Sequence, residues 1–229
     1  ILLRYPTLIH EQNVTPGKAN RLLSRFVDKI AVSFKESQRY FNPRKIILTG
    51  CPSHVALQRL NKQQILTELG LKPNTFTILV LGGSQGSHKI NEIFLEALLL
   101  IYNRFPIQVI HLTGYNDFQW VKESYQSLWI PFCVFDFFLE MPKAYQAADL
   151  VVSRAGAVTT TEIAVFRLPS ILIPYPGAGG HQKDNALLLC KARMAKMIED
   201  KKLNSQNLAQ ALENFISHRP SSVEIAQRV

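Results

Sequence analysis

The segment Gly82–Gly86 has the composition of a phosphate-binding turn. It reads Gly-Gly-Ser-Gln-Gly, follows a run of apolar residues and precedes an amphipathic stretch. Glycines let the backbone turn tightly and approach a ligand closely, and the free N–H groups at a helix start suit an anion. The Ser84 hydroxyl could donate one further hydrogen bond. The spacing matches neither the P-loop nor the six-residue dinucleotide fingerprint, so a plain tight turn is the alternative.

A second segment, Ser153–Glu162, also connects an apolar run to a predicted helix. Its small residues, Gly156 among them, would leave backbone amides exposed at the helix N-terminus, where anions bind favourably. Glu162 is expected within about the first helical turn. A carboxylate there is either stabilised by the helix dipole or able to accept hydrogen bonds from both hydroxyls of a ribose. Two glycine-bearing strand ends in one sheet favour the ligand, since open α/β sheets bind ligands at that edge.

The Gly/Pro-rich segment Pro174–Ala186 leads into a third predicted helix, whose first turn carries His181, Gln182 and Asn185. Gln182 and Asn185 are three residues apart, so they share one face of the helix. Amide side chains both donate and accept hydrogen bonds, which suits the hydroxyls of a sugar. Capping of this helix by His181 or Asp184 is the alternative interpretation.

A fourth polar cluster, His10–Asn13, follows the first predicted strand and precedes a Pro-Gly turn. Polar groups at the carboxyl end of a strand lie where α/β proteins bind ligands, but a turn that satisfies its own backbone is an equal alternative. His10 and Glu11 alone do not indicate acid–base catalysis, because neither a paired carboxylate nor a Ser/His/Asp order accompanies them.

Apolar, β-branched runs alternate with amphipathic stretches along most of the chain. This alternation predicts an α/β fold with a parallel sheet covered by helices on both faces. The predicted strands are Thr7–His10, Lys29–Phe34, Lys45–Thr49, Thr75–Leu81, Gln108–Thr113, Phe132–Phe137, Asp149–Ser153 and Ser170–Pro174. The predicted helices are Lys18–Arg25, Asn61–Leu69, Ser87–Asn103, Asp117–Ser127, Met141–Ala147, Val158–Phe166, Gln182–Ala195 and Ser205–His218.

A domain boundary is predicted near Thr49–Asn61, where Gly50 and Pro52 interrupt the pattern. Residues 1–49 hold too few strands for an independent doubly wound sheet, so they are interpreted as the end of an N-terminal domain. Residues 50–229 are long enough for a complete α/β domain with its own core. Because the chain starts at Ile1 inside a strand-like segment, we expect it to be a piece of a longer protein.

The composition indicates a folded protein with a preference for anionic partners. Hydrophobic residues make up 47% of the chain, and 26 basic residues against 17 acidic ones give a net charge of +9. Such a balance favours nucleic acid, phosphorylated ligands or an anionic membrane, although ordinary solubility charge explains it equally well. Nucleic acid is the least favoured partner, since no recognised nucleic-acid motif accompanies the charge. The three cysteines lie far apart, which favours a reducing compartment, and no apolar run reaches the roughly 18 residues of a spanning helix.

The four motifs, taken in order as HEQN, GGSQG, SRAGAVTTTE and GGHQKDNA, resemble the MurG family of bacterial glycosyltransferases. The resemblance spans nearly the whole chain from Pro6 onward. It implies a GT-B fold, in which two Rossmann-like domains with doubly wound parallel sheets face each other across a cleft. This chain would supply the C-terminal donor domain and a remnant of the N-terminal domain.

The resemblance also implies an activity and a location. The family moves GlcNAc from UDP-GlcNAc to the MurNAc of lipid I, with inversion, and so makes lipid II for peptidoglycan synthesis, cell wall biogenesis, cell shape and cell division. It acts as a peripheral protein on the cytoplasmic face of the inner membrane. The implied partners are therefore the UDP-GlcNAc donor, the lipid I acceptor and an anionic membrane surface.

The family motifs assign donor-binding roles to particular residues of this chain, without a metal, a cofactor or an identified catalytic residue. Glu162 would bind the ribose hydroxyls, Ser84 the diphosphate and Gln182 the GlcNAc hydroxyls, while the backbone of Phe138 would recognise uracil. The implied donor-binding residues are Asn13, Ser84, Phe138, Ala157, Val158, Thr159, Thr160, Thr161, Glu162 and Gln182, with Gly83, Gly86, His54, Arg154, His181 and Asn185 as further candidates.

The chain departs from the family pattern at three points. His54 stands where the family usually has Arg, and a neutral imidazole offsets diphosphate charge less well than a guanidinium. His181 stands where some relatives carry Gln. The N-terminal glycine-rich acceptor loop has no counterpart, so the alternative is a donor-binding subunit or inactive fragment that needs a separate acceptor-binding chain. An α/β oxidoreductase is a further alternative, disfavoured by the missing dinucleotide fingerprint.

Overall fold

The computed structural model describes residues 5–53, 60–83, 85–177 and 179–218. These residues form two sheets, and every strand pairing in them is parallel. The α/β class predicted from the alternating pattern is therefore confirmed.

The smaller sheet has the order β1-β2-β3 and comes from the first part of the chain. Its strands are β1 (Leu8–Glu11), β2 (Lys29–Val32) and β3 (Ile46–Leu48), with helix α1 (Lys18–Leu23) between the first two. Two short 3-10 turns, Lys35–Tyr40 and Pro43–Lys45, connect β2 to β3. Its small core contains Val27, Ile30, Val32 and Phe41.

The larger sheet has six strands in the order β6-β5-β4-β7-β8-β9. The winding therefore reverses between β4 and β7, and the crevice at such a reversal is where open α/β sheets bind ligands. The strands are β4 (Phe76–Leu81), β5 (Ile107–Leu112), β6 (Phe132–Phe135), β7 (Leu150–Ser153), β8 (Ser170–Leu172) and β9 (Ala195–Met197).

Helices cover both faces of this sheet because alternate residues of its strands point to opposite sides. The helices are α2 (Lys62–Glu68), α3 (His88–Ile101), α4 (Phe118–Gln126), α5 (Met141–Ala147), α6 (Ala157–Val165), α7 (His181–Lys191) and α8 (Ser205–Ser217). In β4, Ile78 and Val80 belong to a buried cluster with α3, α4 and α8. Leu79 and Leu81 belong to a second buried cluster with α2, α5, α6 and α7. No helix among the described residues is long and apolar enough to cross a membrane.

Strand β9 corrects the predicted helix Gln182–Ala195, which runs too far. The helix ends at Lys191, and Arg193 adopts a left-handed conformation with φ of 54°, which turns the chain back toward the sheet. Three residues then pair with β8, starting at Ser170 opposite Ala195. A strand of three residues is too short to show a periodicity of its own, so the strand was not predicted and the helix was extended to its first residue, Ala195.

The glycine turn after β4 packs so closely that side chains are excluded at two of its positions. A Cβ on Gly82 would lie 2.2 Å from the Ser87 amide nitrogen, and one on Gly86 would lie 2.0 Å from the Thr113 carbonyl oxygen. Gly114, after β5, packs against the same turn, with its own Cβ position 2.4 Å from the Gln85 oxygen. The start of α3 is therefore held directly against the carboxyl ends of β4 and β5.

We expect the Gly86→Ala substitution to destabilise the fold more than Gly83→Ala. Both glycines have positive φ, 77° and 94°, so each substitution introduces backbone strain of about 1 kcal/mol. A methyl group at Gly83 meets nothing within 4 Å, whereas one at Gly86 collides with the β5 backbone and adds about 1–3 kcal/mol. Urea denaturation of both variants measures the difference, and equal losses would contradict the close packing of this turn.

Candidate functional site

A cavity of about 460 Å³ lies at the carboxyl ends of β4 and β5, next to the reversal point of the larger sheet. The ends of these two strands, the glycine turn, the loop after β6 and the helices α5 and α6 contribute to it. Its walls are mostly apolar, with one carboxylate from α6 and one from the loop. The lining residues are Leu81, Gly83, Leu112, Asp136, Phe137, Phe138, Leu139, Met141, Pro142, Tyr145, Val158, Thr159 and Glu162.

The Glu162 carboxylate is held in place from both sides. Tyr145 donates its hydroxyl to Oε2 at 2.8 Å, and Ser53 donates to Oε1 at 3.0 Å. Burial, and then the neighbouring carboxylate, raise the pKa of Tyr145 well above its usual value, so this hydroxyl stays protonated. Each carboxylate oxygen keeps one further lone pair for a ligand in the cavity.

The position of Glu162 differs from the expected first turn. Helix α6 begins at Ala157, so Glu162 is its sixth residue and lies in the second turn. The helix dipole acts mainly on the first turn, which weakens the explanation that this carboxylate is there to stabilise the helix.

The start of α6 presents backbone amides rather than hydroxyl groups. The amides of Ala157, Val158 and Thr159 donate to no acceptor in the described part of the chain, and the N-cap residue, Gly156, has no side chain to cap them. The hydroxyl groups of Thr160 and Thr161 donate back to carbonyl oxygens of the same helix. These two threonines therefore offer a ligand little through their side chains.

The loop after β6 shapes the mouth of the cavity. The ring of Phe138 is half-buried and packs 4.6 Å from the ring of Phe135, measured between centroids. Phe137 and Leu139, on either side, are exposed at the cavity. Because the Phe138 ring packs against Phe135, a ligand in the cavity can contact the backbone at Phe138 and the exposed side chains of Phe137 and Leu139.

Gln182 ties two loops together next to the start of α6. Its side-chain oxygen accepts hydrogen bonds from the amides of Ala155, at 3.1 Å, and Tyr175, at 2.9 Å. Its side-chain nitrogen donates to no other residue that the structure describes and is therefore available as a donor.

Asn185 joins the two sheets instead of facing a ligand. Its nitrogen donates to Asn13 Oδ1 and to the Ala155 oxygen, and its oxygen accepts from the Val14 amide at 3.0 Å. The side chain is buried and both of its amide hydrogens are used, so the expected contact with a sugar hydroxyl is not available in this structure. Asn13 correspondingly lies at the junction between the smaller sheet and α7.

The helix-capping alternative for His181 and Asp184 does not describe α7. This helix starts after Gly180, and no side chain caps it. His181 donates Nδ1–H to the Thr15 carbonyl at 2.8 Å, and Asp184 accepts from the Thr15 hydroxyl at 2.5 Å. Both side chains therefore bind the turn that follows β1.

The polar cluster after β1 is organised by Glu11. This buried carboxylate accepts hydrogen bonds from the backbone and side chain of Asn13, the amide of Gly17 and the side chain of Asn20. The Nε2 atom of His10 lies 3.3 Å from both the Gly50 carbonyl oxygen and the Ser33 hydroxyl oxygen. The cluster thus satisfies its own turn while placing Asn13 at the junction.

The remaining expected site residues have different positions. Gly83 lines the cavity, whereas Gly86 packs against the backbone after β5. Arg154 does not line the cavity, and its guanidinium is bound by neighbouring loops. Ser84 and His54 lie outside the described residues. Among the described residues, no three His, Cys, Asp or Glu side chains are grouped so as to hold a metal ion.

Tyr145 and Gly114 are among the contributors to the site that the sequence did not predict. Tyr145 reads as an ordinary apolar position of an amphipathic helix, and nothing in the pattern indicates its bond to Glu162. Gly114 had a usable signal, since a glycine directly after a predicted strand marks the same sheet edge as the glycine turn.

A family model described as "Glycosyltransferase family 28 C-terminal domain" matches residues 77–228 of this chain. The match covers more than half of the sequence and includes the cavity. The chain belongs to glycosyltransferase family 28.

Relatives and solved structures agree with this assignment. The UDP-N-acetylglucosamine--N-acetylmuramyl-(pentapeptide) pyrophosphoryl-undecaprenol N-acetylglucosamine transferase of Desulforamulus reducens is 40% identical over 230 residues, covering 97% of this chain and 62% of its own length. The transferase of the same name from Halothermothrix orenii is 39% identical over 236 residues, covering 99% and 64%. The chain therefore spans a little under two thirds of these relatives.

Structural similarity points the same way. The crystal structure of Acinetobacter baumannii MurG superposes with a TM-score of 0.74 at 27% identity, covering 99% of this chain and 62% of the other. The S. aureus MnaA–UDP co-structure, at 14% identity and a TM-score of 0.65, covers 99% of this chain and 64% of the other and shares the fold alone. The resemblance to the MurG family and the GT-B type of fold are thereby confirmed.

We expect Tyr145→Phe to destabilise the protein more than Tyr125→Phe. Both tyrosines are buried hydrogen-bond donors, but Tyr145 bonds a carboxylate and Tyr125 the ring of His111, whose pKa burial lowers to about 3, so that it is neutral. Loss of a bond to a charged group costs about 1.5–3 kcal/mol, against about 0.5–1.5 kcal/mol for a neutral one. Urea denaturation at neutral pH measures both, and a smaller loss for Tyr145→Phe would contradict the role given to this pair.

Proposed function

We propose that this chain binds UDP-GlcNAc in the cavity at the carboxyl ends of β4 and β5. The observation that carries the proposal is the convergence of an apolar cavity, a buried carboxylate and a helix start with unpaired amides. These three features match the three parts of a nucleotide sugar: a base, a ribose diol and a diphosphate. The names of the relatives support GlcNAc as the sugar.

Each part of the ligand has a suitable environment. The uracil would lie against the loop of Phe138, whose backbone can pair with the edge of the base. The ribose would lie near Glu162, whose free lone pairs accept both hydroxyl hydrogens. The diphosphate would take the amides of α6 and those at the start of α3, and the GlcNAc would extend toward the side-chain nitrogen of Gln182.

The proposed chemistry is transfer of GlcNAc, with inversion, to the MurNAc of lipid I, giving lipid II for peptidoglycan synthesis. Bond breaking at the sugar leaves negative charge on the diphosphate. Fixed amide dipoles at helix starts stabilise such charge without reorganising. We propose this transfer for a protein with the full length of the relatives, with an acceptor-binding part in addition to this chain. No side chain is assigned as the catalytic base.

We also propose peripheral attachment to an anionic membrane at the cytoplasmic face of the bacterial inner membrane. The acceptor named in the relatives carries an undecaprenol chain, which requires a lipid surface. Near α1, the exposed apolar residues Leu22 and Phe26 lie beside Arg21 and Arg25 in sequence, and the chain has a net charge of +9. Basic residues next to apolar ones favour anionic lipid surfaces.

Isothermal titration of the chain with UDP tests the proposed donor site directly. We expect saturable binding of UDP and UDP-GlcNAc, with UMP as a competitor, and weaker binding of NADH. A folded chain that shows no heat with UDP would overturn the proposal.

The ribose contact predicts a specific loss in the Glu162→Gln variant. UDP affinity should fall about tenfold, because a charged acceptor for the diol is removed and such a bond is worth about 1.5–3 kcal/mol. The affinity for 2′-deoxy-UDP should fall much less, since that ligand lacks one of the two hydroxyl groups.

The matched control is Glu140→Gln, which removes the same charge. Glu140 lies just before α5, and its exposed carboxylate pairs with Lys143. This variant should bind both ligands like the wild type. Equal losses for UDP and 2′-deoxy-UDP in Glu162→Gln would refute the ribose role.

A further inference from the structure

The guanidinium of Arg154 connects the loops after three strands of the larger sheet. Arg154 directly follows β7. Its guanidinium donates through Nη2 to the Ser87 hydroxyl at 3.1 Å and through Nη1 to the Ile173 carbonyl oxygen at 3.2 Å. Ser87 follows the glycine turn after β4, and Ile173 follows β8. The guanidinium also lies over the ring of Tyr175, 5.5 Å from its centroid.

Asp200 holds this guanidinium in place. Its Oδ1 accepts from Arg154 Nη1 at 2.6 Å, and its Oδ2 accepts from Lys89 Nζ at 2.7 Å. Burial alone would raise the pKa of Asp200, but the hydrogen bonds from Lys89 and Arg154 outweigh it and keep the pKa below its usual value. The carboxylate is therefore ionised at neutral pH and offsets part of the positive charge of both partners.

Ser87 occupies the N-cap position of α3 but does not cap the helix. A serine at this position normally accepts a hydrogen bond from an amide of the first turn. Here its oxygen accepts from Arg154 instead, and the amides of His88 and Lys89 donate to no described residue. They lie at the start of α3, which follows the glycine turn at the carboxyl end of β4.

We propose that Arg154 and Asp200 are positioning residues that keep the Ser87 hydroxyl away from the first turn of α3. The amides of that turn then remain free for the diphosphate of the donor. The inference rests on the proposed function and changes the role expected for Arg154, from a direct contact with the donor to a support of the loop that binds it.

A direct contact and a positioning role predict opposite effects for Asp200→Ala. If Arg154 bound the diphosphate itself, loss of the carboxylate would free its guanidinium and remove a negative charge, so UDP affinity would rise. If Arg154 positions Ser87, loss of Asp200 lets the hydroxyl cap α3, and UDP affinity should fall by about tenfold.

The matched control is Glu199→Ala, which removes a neighbouring carboxylate that pairs with Lys183 and Lys201. It should bind UDP like the wild type within about twofold. Uridine, which lacks phosphate, should bind Asp200→Ala and the wild type equally, which separates a loss at the phosphate end from a general loss of structure.

The double variant Asp200→Ala/Ser87→Ala provides a rescue test. Removing the hydroxyl that would cap the helix should restore most of the lost UDP affinity, to within about threefold of the wild type. A double variant as weak as Asp200→Ala, a gain of UDP affinity in Asp200→Ala, or a parallel loss of uridine affinity would each overturn the inference.

Amide hydrogen exchange in the ligand-free chain gives a readout that does not depend on the proposed function. We expect exchange at Lys89 or Ile90, the second and third residues of α3, to slow in Asp200→Ala, because a capping serine hydroxyl accepts from the amide of one of these positions. Faster exchange there would indicate loosening of the loop and would contradict the inference. Wild-type titration with UDP, measured separately, tests the donor site itself.

Discussion

Unpaired backbone amides at the starts of α3 and α6 are the feature on which the site depends. Such groups are costly to bury without a hydrogen-bond partner. Because no described residue accepts from these amides, a ligand or water must do so. Gly156 provides no capping side chain, and the Ser87 hydroxyl oxygen accepts a hydrogen bond from Arg154 instead of from an amide of α3.

The close packing at the edge of the sheet fixes where these amides lie. Gly82 and Gly86 bring α3 against the ends of β4 and β5, and the register of β4 with β7 places the start of α6 beside it. The Tyr145–Glu162 hydrogen bond fixes the α6 carboxylate at the wall of a mostly apolar space. In the proposed complex, the base, the ribose and the diphosphate would have separate environments within one crevice.

Much of this arrangement could be predicted from the sequence, and the exceptions share a physical cause. The buried strands showed continuous apolar runs, and the glycine turns lay at their ends, so local patterns located the cavity. Strand β9 was missed because three residues are too few to show a period. Asn185 was assigned to a sugar hydroxyl because its contacts with Asn13 and Val14 are more than 170 residues away in sequence, where no local pattern indicates them. The partners of Tyr145 and Arg154 are likewise tertiary, and helix periodicity does not report them.

A crystal structure of the chain with UDP-GlcNAc tests the central claim most directly. The account predicts the uracil against the backbone of Phe138, the ribose hydroxyls within hydrogen-bond distance of Glu162, and the diphosphate between the first turns of α3 and α6. A nucleotide bound elsewhere, for example in the separate cavity that Tyr175 and Lys183 line, would contradict it.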